Sequence, residues 1–99
     1  MYLIDIQLKT DRIPPEQADE LLQGHRAWFK KYADEGNFLA VGPYTDQDMA
    51  GLIIAQAADR DSLNAIISQD VYAPDKADYS VREFQANIIA ENIAAFKGK

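Results

Sequence analysis

The segment LLQGHRAWFKKYADEGNFLAVGP, residues 21–43, joins a helical pattern directly to a strand pattern and thereby decides the fold. Its apolar residues first recur at steps of three and four, which is the repeat of one face of a helix. Gly36 can adopt the positive φ that commonly ends a helix, and an apolar run follows at 38–42. The segment therefore predicts an amphipathic helix to about residue 35, followed by a strand over 38–42.

The patterns on either side of this segment predict three more strands and one more helix. Apolar and polar residues alternate in YLIDIQL at 2–8, AGLIIAQA at 50–57 is apolar on both faces, and DYSVREF occupies 78–84. A second helix is expected at about 62–69, capped by Asp59 or Asp61. Pro14 and Pro15 fit the first turn of the first helix. The tail at 86–99 is expected to be a short helix or an arm that packs on a neighbour.

This order of elements, β-α-β-β-α-β, predicts an α+β fold of the ferredoxin-like type. We expect a four-stranded antiparallel sheet with two helices on one face, in a single domain over 1–99 whose core is 1–85. The other face, with Leu3, Leu39 and Val41 among its candidates, has no cover within the chain. Because such an apolar face is unfavourable in water, we expect a homodimer formed through it, with a monomer as the alternative.

The composition narrows the classes of partner and cofactor. The 99 residues carry a net charge of −6, so phosphate backbones would be repelled and nucleic acid is not expected as a partner. No apolar run approaches the roughly 20 residues of a membrane span, and the N-terminus does not resemble a secretory signal. We therefore expect no membrane partner and a cytoplasmic protein. There is no cysteine, and a single histidine with scattered carboxylates predicts no metal site. Since there is no glycine-rich phosphate loop either, no cofactor is expected.

The only histidine, His25, lies within the apolar stripe of the first helix and should face the sheet. Gly24 beside it costs about 1 kcal/mol relative to alanine in a helix, which suggests close approach of another backbone or a ligand. Asp34 is a poor partner, because nine residues of helix turn it to the opposite side. Asp70 continues the apolar stripe of the second helix, where a carboxylate needs a donor. We predict a His25–Asp70 pair; a core histidine bonded to a backbone carbonyl is the alternative.

Two stretches, HRAWFKKYADEGNFLAVGP and GLIIAQAADRDSLNAIISQDVYAPDKADYSVREF, resemble the YCII-related (YciI-like) family. The resemblance extends from the first strand to about Phe84. It implies a dimeric α+β barrel similar to muconolactone isomerase, with dimers formed sheet to sheet and a histidine/aspartate pair as the site. The pair falls on His25 and Asp70, and the family's Gly-Pro falls on Gly42 and Pro43. The chain departs from the family pattern at Val71, where proline is usual.

The resemblance implies a small-molecule enzyme that uses His25 and Asp70 as a general acid–base pair. Isomerase, lyase or dehydrochlorinase-like chemistry on a small cyclic or aromatic compound would fit such a pair. We expect the pocket between the first helix and the sheet, with Trp28, Tyr72, Gly42 and Pro43 in contact with the ligand. The alternative from another class is a non-catalytic ligand-binding or regulatory dimer in which His25 and Asp70 are structural.

Overall fold

One antiparallel sheet of four strands and two helices make up the computed structural model, which describes residues 1–99. The strands are β1 (Tyr2–Leu8), β2 (Phe38–Pro43), β3 (Ala50–Ala55) and β4 (Ala77–Glu83), and the helices are α1 (Ala18–Asp34) and α2 (Arg60–Ile67). The strand order is β2-β3-β1-β4, so β2 and β4 are the edges. This arrangement confirms the predicted ferredoxin-like α+β fold.

The core lies between one face of the sheet and the two helices. Residues directly opposite each other on paired strands share a face, and Ile4 of β1 lies opposite Ile53 of β3 and Val81 of β4. Ile4 and Ile53 are fully buried, as is Leu63 of α2. Twelve buried residues form this core: Tyr2, Ile4, Ile6, Trp28, Tyr32, Phe38, Ile53, Ala55, Leu63, Ile67, Tyr72 and Ala77. The alternation predicted for β1 is thereby confirmed.

Helix α1 begins later than the prolines suggested. Pro15–Gln17 form a separate 3-10 turn, and the α-helix starts at Ala18. Its buried residues are His25, Trp28 and Tyr32, which belong to the predicted stripe. At the C-terminal end Gly36 has a φ of 85°, and the Asn37 N–H donates to the Tyr32 carbonyl at 2.9 Å. Gly36 therefore ends the helix by the predicted mechanism.

Strand β2 contains a bulge that the sequence analysis did not anticipate. Phe38 lies opposite Ala55 and Ala40 lies opposite Ile54, so Leu39 is an extra residue on β2. Beyond the bulge the faces are exchanged, and Val41 lies opposite Ile53 on the helix-covered face. The expectation that Val41 faces away from the helices was wrong, because it assumed an unbroken alternation along the strand.

The second helix and the tail also differ from expectation in their details. Helix α2 is capped by Asp59, whose Oδ1 accepts from the Ser62 N–H at 2.7 Å. It ends at Ile67, so Asp70 lies in the following turn rather than on the helix. The tail has a 3-10 turn at Ile93–Phe96 with no buried residues. Neither α1 nor α2 has the length and apolar content that a membrane crossing would require.

Candidate functional site

The imidazole of His25 and the carboxylate of Asp70 are in contact in the protein interior. The distance from His25 Nδ1 to Asp70 Oδ1 is 2.7 Å. Helix α1 supplies His25 from its buried face, and the turn after α2 supplies Asp70. Asp70 is only 2% exposed, and a carboxylate without hydrogen-bond donors would be unfavourable there. The contact gives each of these polar residues one partner, and it is the contact that the sequence predicted, although Asp70 lies just beyond α2 rather than on its apolar stripe.

A second donor to Asp70 comes from β4. The Tyr79 hydroxyl donates to Asp70 Oδ2 at 2.5 Å, so both carboxylate oxygens are occupied. Burial and this hydrogen bond raise the pKa of Tyr79 above its usual range, so that the phenol remains a donor. The sequence analysis missed Tyr79. Its position opposite Ile6 puts it on the helix-covered face, which the alternation of Tyr79 and Val81 in β4 could have indicated.

The contact with Asp70 determines which nitrogen of His25 remains available. A carboxylate accepts hydrogen bonds, so the proton of the neutral imidazole is placed on Nδ1. Nε2 makes no hydrogen bond within the chain. Since every fully buried side-chain nitrogen or oxygen atom has a partner, Nε2 cannot be sealed in the core. It therefore keeps access to the space beside the imidazole.

That space is a cavity of about 560 Å³ between α1, β1 and the β2–β3 hairpin. Its volume lies in the range of small-molecule sites. His25 and Phe29 of α1 line the cavity together with Gly42 and Pro43 of β2. Phe29 was not among the predicted site residues, whereas the sequence analysis had placed His25, Gly42 and Pro43 at the site. No group of three or more His, Cys, Asp or Glu side chains is placed to hold a metal ion.

Trp28 and Tyr72 contact the imidazole but do not line the cavity. The Trp28 ring is stacked on His25 with centroids 5.6 Å apart, and its Nε1–H donates to the Ile66 carbonyl at 2.9 Å. The Tyr72 ring centroid is 4.8 Å from that of His25. Both rings are at most 5% exposed. The expectation that Trp28 and Tyr72 line the pocket is therefore corrected. Their side chains pack in the core, where both rings contact the imidazole of His25.

Gly24 allows α1 to approach the turn that carries Asp70. A Cβ atom at this position would lie 2.7 Å from Cγ1 of Val71, which is too close for any real contact. A close neighbour at Gly24 is therefore present, as the glycine suggested, but it is the side chain of Val71 rather than another backbone or a ligand.

Comparisons with known proteins agree with this fold. The profile of the YCII-related domain family matches residues 1–85. A solved structure described as an antibiotic biosynthesis monooxygenase is similar at a TM-score of 0.51 and 19% sequence identity, over 86% of this chain and 99% of that one. At this identity the likeness concerns the fold alone. No curated protein matches the chain significantly.

Proposed function

The chain belongs to the YCII-related family, and from this premise we propose that it is a small-molecule enzyme in which His25 and Asp70 perform general acid–base catalysis. One observation carries the proposal. The 2.7 Å contact between Nδ1 and Asp70 leaves Nε2 without a hydrogen bond, on a histidine that lines a cavity of about 560 Å³. A buried histidine with only a structural role would need no such opening.

The proposed proton transfer uses Nε2 as its centre. Asp70 orients the ring and keeps the Nδ1 proton in place, so Nε2 accepts a proton from a C–H or O–H group of the bound compound. The imidazolium that forms lies beside the carboxylate of Asp70, which offsets its charge. Nε2 then returns the proton to another atom of the same compound. A shift of a double bond or the elimination of a leaving group could use this shuttle.

The cavity favours a compact ligand with an apolar ring. Phe29 gives the cavity apolar surface next to His25, and Val41 and Met49 add apolar surface elsewhere in its lining. The Phe29 ring centroid is 4.2 Å from that of the imidazole, so a ring packed on Phe29 would lie within reach of Nε2. These contacts support a cyclic or aromatic substrate.

We also propose that the functional unit is a homodimer. The sheet face away from the helices, here called the open face, includes Leu3, Asp5, Leu52 and Ile54 together with Ala40 and Gly42 of β2, and the polar Ser80 and Arg82 of β4 lie at its other edge. Three of these side chains are large and apolar, and a shallow depression of about 290 Å³ includes Leu52 and Ile54. Packing two open faces together would remove this surface from water.

Hydrogen exchange at carbon tests the acid–base proposal without knowledge of the full reaction. The protein is incubated in D₂O with a panel of small cyclic ketones, lactones and hydroxylated aromatics, and deuterium incorporation is followed by proton NMR. We expect catalysed exchange in at least one compound. His25→Asn should lower its rate by about 10²–10⁴, the usual contribution of a positioned general base. Asp70→Asn, which removes the carboxylate that orients the imidazole, should also lower it. Asp34→Asn is the matched control, because Asp34 pairs with Lys30 on the surface of the same helix.

Two results would contradict the proposal. Exchange that proceeds equally fast in folded His25→Asn would remove the histidine from the reaction. A wild-type protein that binds panel compounds and exchanges none of them would favour the alternative of a ligand-binding or regulatory dimer. Thermal unfolding of each variant separates a lost site from a lost fold.

A further inference from the structure

Arg26 is a charged residue of the cavity that the proton shuttle does not use. It follows His25 on α1 and lines the same cavity. Its guanidinium takes part in none of the four ion pairs of the chain, which join Lys9, His25, Lys30 and Lys76 to aspartates. Arg12 and Arg60 each donate a hydrogen bond, to the Asp75 carbonyl and to Asn64. Arg82, like Arg26, makes no such contact, but it does not line the cavity. Arg26 is solvent-exposed, and a guanidinium with no partner in its own chain is free to pair with the carboxylate of a bound molecule.

The charge of Arg26 is not neutralised across the cavity. The only carboxylate among the lining residues is Asp48, on the β2–β3 hairpin, and it forms no ion pair with Arg26. On the other side, burial and the Asp70 carboxylate raise the pKa of Tyr72, and the charge of Arg26 opposes that shift. The charge of Arg26 therefore acts on Tyr72, whose ring contacts His25.

We propose that Arg26 binds a carboxylate of the ligand, so that the cavity selects a small cyclic or aromatic carboxylic acid in its anionic form. A guanidinium presents parallel N–H donors that match the two oxygens of a carboxylate. Anchoring this group at Arg26 would leave the ring against Phe29 and a ring atom close to Nε2 of His25. The identification of the ligand as a substrate rests on the proposed function, whereas its binding through Arg26 does not.

The single histidine makes the test direct, because its imidazole signals in NMR report on the cavity without competing histidines. Benzoate is the probe, and benzamide is its uncharged counterpart of the same shape. We expect benzoate to move the His25 signals in a saturable way and benzamide to bind more weakly. Arg26→Gln should weaken benzoate binding at least about tenfold, as for the loss of a charge-assisted hydrogen bond. Asp48→Asn, which removes the opposite charge from the same cavity, should bind benzoate as tightly as the wild type or more tightly.

The inference is overturned by any of three results: no saturable movement of the His25 signals with benzoate, equal affinity for benzamide, or undiminished benzoate binding by Arg26→Gln. Its failure is separable from that of the acid–base proposal. If benzoate binding requires Arg26 but exchange continues in His25→Asn, the anion site is supported and the acid–base role of His25 is contradicted. If exchange requires His25 but benzoate binds equally well to Arg26→Gln, the acid–base role of His25 is supported and the carboxylate site at Arg26 is contradicted.

Discussion

At the residue scale, the site depends on the two hydrogen bonds that Asp70 accepts from other elements. His25 reaches it from α1 and Tyr79 from β4. The histidine could be predicted, because a polar residue within an apolar stripe needs a buried partner and Asp70 was the matching anomaly. Tyr79 could not be recognised in the same way, since a tyrosine facing the core from a strand breaks no pattern.

Gly24 provides a stability test at this scale. Gly24→Ala improves the helix propensity of α1 by about 1 kcal/mol, but its Cβ would overlap Val71 Cγ1, and overpacking of this kind costs about 1–3 kcal/mol. We therefore expect a net decrease of about 1 kcal/mol in the free energy of unfolding, measured by urea denaturation. The change should also push the turn with Asp70 away from His25.

Val71→Ala supplies the matching control for Gly24→Ala. Removing the two methyl groups of Val71 opens the space that the new Cβ needs, so the double variant should be more stable than Gly24→Ala alone. A single variant Gly24→Ala that is as stable as the wild type would show that α1 and this turn are not in contact as described.

At the element scale, the bounds of helices and strands could be predicted best where the apolar residues repeat with a clear period. Strand β1 has the predicted bounds because its alternation is strict. The bulge at Leu39 was not predictable, since FLAVG is apolar throughout and an inserted residue disturbs no visible repeat. For α2, the choice between Asp59 and Asp61 depends on backbone geometry. Asp59 is extended, with φ −158°, and its side chain can reach the Ser62 N–H, whereas Asp61 lies inside the helix.

The cap of α2 leads to a prediction about acid stability. Hydrogen bonds from Ser62 lower the pKa of Asp59 in the folded protein. A lowered pKa means that the stabilisation is present above the unfolded-state pKa and is lost as the pH falls through the folded-state value. We expect Asp59→Asn to reduce the loss of thermal stability on acidification, because asparagine caps without titrating. An unchanged pH profile of the melting temperature in Asp59→Asn would contradict this assignment.

At the scale of the whole molecule, two apolar surfaces remain without a partner in the chain: the open face and the tail. Ile88 of the tail is 93% exposed and Phe96 is 62% exposed. The sequence allowed either a short helix or an arm for this segment. The sequence could not decide between these two, because all but one of residues 86–99 are exposed and packing against the rest of the chain does not select a conformation.

The dimer proposal is tested by placing a charge on each of these surfaces in turn. Ile54 lies on the open face, opposite Leu3 and Ala40, and Ile89 lies on the tail. We expect a dimer for the wild type, a folded monomer for Ile54→Lys and a dimer for Ile89→Lys, measured by sedimentation velocity with circular dichroism as the check on folding. A monomeric wild type, or a dimer that persists in Ile54→Lys, would contradict association through the open face.

The measurement that tests the central claim most directly is the tautomeric state of the one imidazole. Nitrogen-15 NMR of His25, at a pH where the ring is neutral, distinguishes a proton on Nδ1 from a proton on Nε2. We expect the proton on Nδ1, held by Asp70, with Nε2 free to accept, and we expect Asp70→Asn to lose this preference. A wild-type protein with its proton on Nε2 would mean that Nδ1 does not donate to Asp70 and that the nitrogen beside the cavity cannot act as the base.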